Sequence, residues 1–145
     1  MASLRFIPLD QTDLSTIEEW YLGDLEGQKF LGGYDNKKIL KLANGRDRLI
    51  WLVRQDDIAI GFVDLEIRRK VGFPAYFVAK RQRGKGLGTQ ILLELENLAK
   101  RHGAQELQGS FEPETIGSRR AHEKAGHTIS ATIDEEGMLK ASKKI

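Results

Sequence analysis

The spacing of apolar residues changes several times along the chain, and each change marks a new element. Leu4 to Leu9 is a short apolar run closed by Pro8 and Asp10 and reads as a first strand. From Asp13, a residue type that caps helices, apolar positions recur at spacings of three and four through Ile17 and Trp20, which predicts a helix. Residues 23 to 37 carry Gly23, Gly27, Gly32 and Gly33 with Trp20, Phe30 and Tyr34 nearby, a loop or broken helix edged by aromatics. Ile39 to Ala43 adds a helical turn before the turn signal Asn44-Gly45.

From Arg48 the period becomes that of strands. Leu49 to Val53 and Ile58 to Ile67 are apolar runs separated by the polar Gln55 to Asp57, the pattern of an antiparallel hairpin. In the second run Phe62, Asp64 and Glu66 fall on one face, with Val63, Leu65 and Ile67 on the other. Phe73 to Ala79 reads as a third strand of this sheet. Leu87 to His102 is the clearest helix, with Leu87, Ile91, Leu92, Leu95, Leu98 and Ala99 forming one stripe and Gly103 supplying the stop. Leu107 to Phe111 is a short strand, and Ser118 to Ala125 a short helix stopped by Gly126. His127 to Ile133 pairs with Met138 to Ser142 across the polar Asp134 to Gly137 turn. This order predicts an α+β fold, a mixed but largely antiparallel sheet of about six to seven strands flanked by helices.

Composition narrows the classes. A chain of 145 residues with no repeat and no Pro/Gly/Ser linker is expected to form one domain over residues 1–145. The 23 basic and 21 acidic residues leave a net charge of +2, too little for a polyanion-binding face, so nucleic acid is not an expected partner. The basic residues are nevertheless clustered: Lys80, Arg81, Arg83 and Lys85 stand together without an acid, which suits one anionic ligand. The absence of cysteine removes disulfides, thiolate metal sites and a cysteine nucleophile, and three scattered histidines do not make a metal site. No apolar run has the length of a signal peptide or a membrane span, so a cytoplasmic monomer or homodimer with no membrane partner is expected.

The informative segment is YFVAKRQRGKGLGTQILLEL: a strand, the turn RGKGLGT, then the amphipathic helix. A helix N-terminus presents unpaired N–H groups and about half a positive charge, and so attracts phosphate where the backbone can approach it. Glycines at 84, 86 and 88 permit that approach, with Arg83 and Lys85 beside them. The spacing is not that of a P-loop, since Lys85 comes too early and no Ser or Thr follows it. Nor is it a dinucleotide fingerprint, which would open a parallel βαβ unit at the first strand.

With Arg83-x-x-Gly86-x-Gly88 preceded by the strand residues Phe77, Val78 and Ala79, the chain resembles the GNAT superfamily of acetyl-coenzyme A-dependent N-acetyltransferases. SRRAHEKAGH (Ser118 to His127) and IGFVDLE (Ile60 to Glu66) are similar to further segments of that family, and the resemblance covers residues 58 to 130. It implies that acetyl-CoA is co-substrate, with its pyrophosphate held by the main chain of Arg83, Gly84, Lys85, Gly86, Leu87, Gly88 and Thr89. It further implies main-chain bonds from Val78 and Lys80 to the pantetheine arm, and an amide near Val78 stabilising the oxyanion.

Three positions depart from the family's pattern, of which His127, standing where the family has Phe, is expected to be structural. His122 stands where the family commonly presents the Tyr that protonates the leaving thiolate, and a histidine acid is expected in its place. Thr115 stands where many members carry an Asn that bonds the pantetheine arm, and can make one such bond rather than two. Ser118 is a coenzyme contact or a helix N-cap. Asp64 and Glu66 are the acidic pair nearest the thioester by pattern, as general base or as solvent-facing alternates of a half-buried strand. With Glu112 and Glu114 they would favour a cationic acceptor. Without cysteine or a GxSxG motif, direct attack by the amine is expected rather than an acyl-enzyme. The early helix and the glycine-rich loop look most like the aminoglycoside 6'-N-acetyltransferase and ribosomal-protein N-terminal acetyltransferase branches. A coenzyme A-sensing module that has lost catalysis is the competing expectation.

Overall fold

The hairpin expected from residue 48 onward forms as β2 (Arg48–Gln55) and β3 (Ile58–Arg68), joined by a tight turn in which Asp56 takes a φ of 55°. A second reversal at Arg69 and Lys70, with φ of 50° and 66°, leads into β4 (Val71–Val78). Paired left-handed residues give the turn a twist that matches the flanking strands. The computed structural model describes residues 3–28, 36–43, 47–113 and 116–145. Within them the remaining strands are β1 (Leu4–Pro8), β5 (Glu106–Phe111), β6 (Thr128–Ile129) and β7 (Leu139–Lys144). The helices are α1 (Leu14–Leu22), α2 (Asn36–Ala43), α3 (Leu87–Arg101) and α4 (Ile116–Lys124). The strands form one seven-stranded sheet in the order β1-β2-β3-β4-β5-β7-β6, so the α+β expectation holds. The Asn44-Gly45 turn signal and residues 29–35 of the glycine-rich loop lie outside the described residues.

Most of the pairing is antiparallel: Leu4↔Gln55 through Pro8↔Trp51 between β1 and β2, and Glu106↔Lys144 through Phe111↔Leu139 between β5 and β7. The exception is β4 with β5, which run parallel and share only Val71↔Glu106 and Gly72↔Leu107 before the ladder ends. Sequence order paired residues 127–133 with 138–142. The regular ladder is shorter, Thr128↔Ser142 and Ile129↔Ala141, and the other edge of β7 pairs with β5. Beyond it, Asp134 closes the reversal by accepting from the amides of Glu136 (2.9 Å) and Met138 (3.0 Å).

The α-helix starts at Leu14, directly after Asp13 as expected, but the side-chain cap lies one 3-10 turn earlier. Asp10 caps a 3-10 turn over Gln11–Asp13 by accepting from the Thr12 amide at 2.7 Å, and Asp13 reaches back to the Asp10 amide at 3.0 Å. This reciprocal capping box satisfies donors that would otherwise be orphaned. Asp13 itself makes no side-chain cap to α1.

The chain forms two compact units that are not sequence halves. The first, Met1–Asp64 with Tyr76–Arg83, is built on Leu9, Ile17, Ile39, Ile50, Leu52, Phe62 and Phe77, with Leu14, Trp20 and Leu42 at its margin. Each such side chain contributes roughly 1.5–3 kcal/mol by burial. Gly61 sits against the end of β4: a Cβ there would overlap the Phe77 carbonyl, and the Ala79 amide donates to the Ile60 carbonyl at 2.8 Å. Gly61→Ala must therefore push a main-chain carbonyl aside, and a loss of about 1–3 kcal/mol is expected from the urea midpoint. An unchanged midpoint would show that the approach is not so close.

The second unit, Leu65–Ala75 with Gly84–Ile145, buries the predicted stripe of α3: Leu87, Ile91, Leu92, Leu95, Leu98 and Ala99. Gly72 makes room for Leu107 of the neighbouring strand, since a Cβ there would lie 2.9 Å from it, with Leu65 at 3.3 Å and Ala99 of α3 in ordinary contact at 3.5 Å. Phe111, Leu139, Ala141 and Ile129 form a smaller cluster. Lys143 joins Glu96 of α3 at 2.8 Å and the Ala125 carbonyl at 3.0 Å. His102 ends α3 as expected, its Nδ1 3.0 Å from the Leu98 carbonyl, with Gly103 in the left-handed region at φ 87°.

Candidate active site

In the first unit, β4 ends at Val78 and a 3-10 turn over Lys80–Gln82 leads to Arg83. Arg83 is exposed, yet its guanidinium folds back on the strand end. Its Nε donates to the Val78 carbonyl at 2.9 Å, Nη2 donates to Asp24 at 2.7 Å, and the group lies 5.2 Å from the Phe77 ring centroid. Phe77 in turn packs against Trp20 (5.9 Å) and Phe62 (5.8 Å). Burial alone would raise the Asp24 carboxyl. The Gly27 amide, the Arg83 guanidinium and the charge of Lys80 outweigh it and hold the carboxyl below the ordinary carboxylate range. The Val78 carbonyl thus already accepts from Arg83, and the Ala79 amide from the ladder to Ile60 is likewise engaged. Lys80 is exposed.

In the second unit the turn itself carries two left-handed glycines, Gly84 at φ 79° and Gly86 at φ 76°. A Cβ at either would meet nothing within 4 Å, so backbone conformation, not packing, requires glycine there, and the space beside them is open. Gly86 is the N-cap of α3 and brings no side chain to cap it, and no acid stands in the first turn. The exposed turn residues Gly84, Lys85 and Gly86, followed by Leu87, Gly88 and Thr89, are suited to a phosphate: open beside the glycines, at the positive end of the helix and with no acid in its first turn.

The candidate acid-base residues are less simply disposed. Asp64 is 3% exposed, and both its oxygens accept from Arg48, at 2.8 Å from Nε and 2.6 Å from Nη2. The carboxylate is thereby committed to an ion pair. Glu66 pairs with Arg68 at 2.7 Å. His122, on α4, is buried: its ring stacks on Phe111 at 5.4 Å and meets the edge of His127 at 4.9 Å. Burial, with a smaller contribution from His127, pushes its pKa down to about 4. At neutral pH about one His122 in a thousand then carries the proton that an acid must give, which works against the acid role expected of it. Ser118 is the third residue of α4, inside its first turn rather than at the N-cap. Glu112 is exposed, while Glu114 and Thr115 lie outside the described residues.

Sequence reasoning missed Asp24, Gly27 and Arg48. Gly27 was visible only as one of several loop glycines, and its role is specific: a Cβ there would overlap the Asp24 carboxylate and lie 3.0 Å from Phe77. Among the described residues, no group of three His, Asp or Glu side chains is placed to hold a metal, and no helix is long and apolar enough to cross a membrane.

The model of the Acetyltransferase (GNAT) family matches residues 14–127. The chain belongs to that family, and is an acetyltransferase by that membership. No curated protein sequence matches it. Its fold is shared by solved structures at low identity. An AAC(6')-Ib structure with paromomycin and acetyl-CoA is 17% identical with a TM-score of 0.82, covering 98% of this chain and 93% of that one. RimL, a ribosomal L7/L12 α-N-protein acetyltransferase with coenzyme A, is 12% identical with a TM-score of 0.81 over 100% and 96%. The PaiA N-acetyltransferase of Thermoplasma acidophilum with coenzyme A is 22% identical with a TM-score of 0.79 over 99% of each chain.

Proposed function

We propose that this GNAT protein transfers the acetyl group of acetyl-CoA to a primary amine, as one catalytic domain over residues 1–145 in the cytoplasm. The observation that carries the reading is the glycine turn: two left-handed glycines opening onto free space at the uncapped start of α3. There the amides from Gly84 to Thr89 hold the coenzyme's pyrophosphate, with Lys85 as the adjacent cation. Main chain at Val78 and Lys80, where β4 ends, takes the pantetheine arm. Phe77 and Ala79 build the strand end that presents them, and Thr115 and Ser118 are the remaining proposed coenzyme contacts. The structures with acetyl-CoA or coenzyme A bound that share this fold support the same co-substrate.

Acetyl-CoA supplies an activated acyl group. The chain's task is to orient it, admit an uncharged amine and provide for two proton movements. With no cysteine in the sequence, the amine nitrogen bonds to the acetyl carbon directly as the carbon–sulfur bond breaks. The proton lost by the amine goes to water or to Glu66: both acids are paired with arginines, but the Glu66–Arg68 pair is the more exposed, while Asp64 is buried against Arg48. The departing sulfur takes its proton from water, because His122 is neutral. Of the four carboxylates that would draw a cationic acceptor, Asp64 and Glu66 are paired with arginines, so the electrostatic case rests on exposed Glu112 and on Glu114, which lies outside the described residues.

The depressed His122 also favours a second reading, a coenzyme sensor without turnover. Incubation with acetyl-CoA and a panel of primary amines separates the two. Thiol release that depends on the amine and matches the acetylated product is expected for the enzyme. Thermal stabilisation by acetyl-CoA without thiol release would establish the sensor instead.

A further inference from the structure

Asp24 is an acid almost without solvent contact, 3% exposed, in the segment after α1, 59 residues from its partner Arg83. A buried carboxylate is costly unless paired and fully hydrogen-bonded. Here both oxygens are engaged: Oδ1 accepts from the Gly27 amide at 3.0 Å and Oδ2 from Arg83 at 2.7 Å. The segment is built around this acid. The Gln28 amide donates to the Asp24 carbonyl at 3.0 Å, and Gln28 Nε2 donates to the Tyr21 carbonyl at 2.8 Å. Gly27 is the residue whose missing Cβ makes room for the carboxylate against Phe77.

Arg83 is fixed in a similar way. One side of its planar fork holds the Val78 carbonyl at the end of β4, another holds Asp24, and its face lies over Phe77. A guanidinium so held is a brace rather than a mobile phosphate ligand. As the residue just before Gly84, it ties the strand end to a segment that the sequence places far away.

We propose that Asp24 is a positioning residue for coenzyme binding: through Arg83 it holds the end of β4 and the residue from which the phosphate-binding turn departs. This rests on the coenzyme reading of the Gly84–Thr89 turn. Asp24 touches no coenzyme itself. Its loss leaves the turn's amides in place but lets Arg83 and the end of β4 move, so binding weakens.

The test is a double-mutant cycle on the Kd for coenzyme A by calorimetry, with Asp24→Asn, Arg83→Gln and the double variant, each checked for folding by circular dichroism. Asp24→Asn keeps the volume and the acceptor for Gly27 while removing the charge, and Asp24→Ala is the fuller truncation where it folds. Asp24→Asn is expected to weaken coenzyme A binding roughly tenfold, and the double variant to bind no more weakly than Arg83→Gln alone, the signature of residues acting as one unit. An unchanged Kd in folded Asp24→Asn, or two losses that simply multiply, overturns the proposal. Gly86→Asp is run beside the cycle. If it too leaves the Kd unchanged, the turn does not bind the coenzyme and the functional reading falls with the inference; if it alone destroys binding, only the role of Asp24 is lost.

Discussion

Gly86→Asp is expected to weaken acetyl-CoA binding by about a hundredfold or more while the protein remains folded, the loss corresponding to about 3 kcal/mol. The two halves of this expectation come from separate features of one residue. Gly86 has φ 76°, so any replacement with a side chain is strained by about 1–2 kcal/mol, though Asp and Asn tolerate this region best. A Cβ there meets nothing within 4 Å, so no packing penalty is added. For a chain of this size, a shift of a few degrees in melting temperature is the expected cost to the fold. The effect on the ligand is larger because the carboxylate enters the open space where a doubly charged pyrophosphate has to sit. Two like charges 4 Å apart near a protein surface repel by about 4 kcal/mol at an effective dielectric of 20. Gly86→Asn separates charge from bulk, since it carries the same volume without the charge and should bind measurably better than Asp. Calorimetric titration and melting curves on both variants decide the matter. Equal affinity in wild type and Gly86→Asp would remove the turn from the coenzyme site.

The local parts of this molecule were legible in its sequence, and the parts made by distant residues were not. Helix α3 was found within a residue of its bounds, because one apolar stripe, an N-terminal glycine turn and Gly103 all agree. The β2–β3 hairpin was found because a short polar turn separates two apolar runs. The pairing of β5 with β7 was not read, since nothing in either segment names a partner some thirty positions away in the chain, and edge preference emerges only when the sheet assembles. The same limit applies to the site. Gly84 and Gly86 announce themselves through glycine at a helix start, whereas nothing marked Asp24, and Arg83 looked like a phosphate ligand. Asp64 was singled out as an acid on a strand, but only the fold reveals that Arg48 claims both its oxygens. A sequence names the titratable groups; burial and partners decide which of them can exchange a proton.

His122 carries that point into a measurable pH dependence. Its ring is 5% exposed, between Phe111 and the edge of His127, and Gly109 faces it where a Cβ would come within 3.4 Å of its Cε1. Both ring nitrogens of His127 are buried without a hydrogen-bond partner among the described residues. The charged groups acting on His127 are Lys143, which opposes its protonation, and Glu96, which favours it; burial is the strongest influence, and its pKa is lowered as well. The folded pKa of His122 is about 4 against an ordinary 6.5, so an acidic solution protonates the unfolded chain first and draws the equilibrium toward it. The stabilising effect is fully present above pH 6.5, falls as pH drops below it, and is gone near pH 4, a total of about 3 kcal/mol. Glu96 and Asp24, whose carboxyls are held low, lose their contributions only under more acidic conditions, below about their ordinary values of 4.5 and 3.8. Between pH 6.5 and 5 the histidines therefore dominate the slope. Urea midpoints at pH 7.5, 6.5, 5.5 and 5 should decline steadily in wild type and much less in His122→Phe, whose ring keeps the stack on Phe111. Parallel declines in the two proteins would refute a buried neutral His122. The same variant decides the chemistry: with so little of the imidazole protonated at pH 7.5, His122→Phe is expected to keep most of its amine-dependent thiol release, and a large drop there with unchanged coenzyme affinity would restore His122 as the acid.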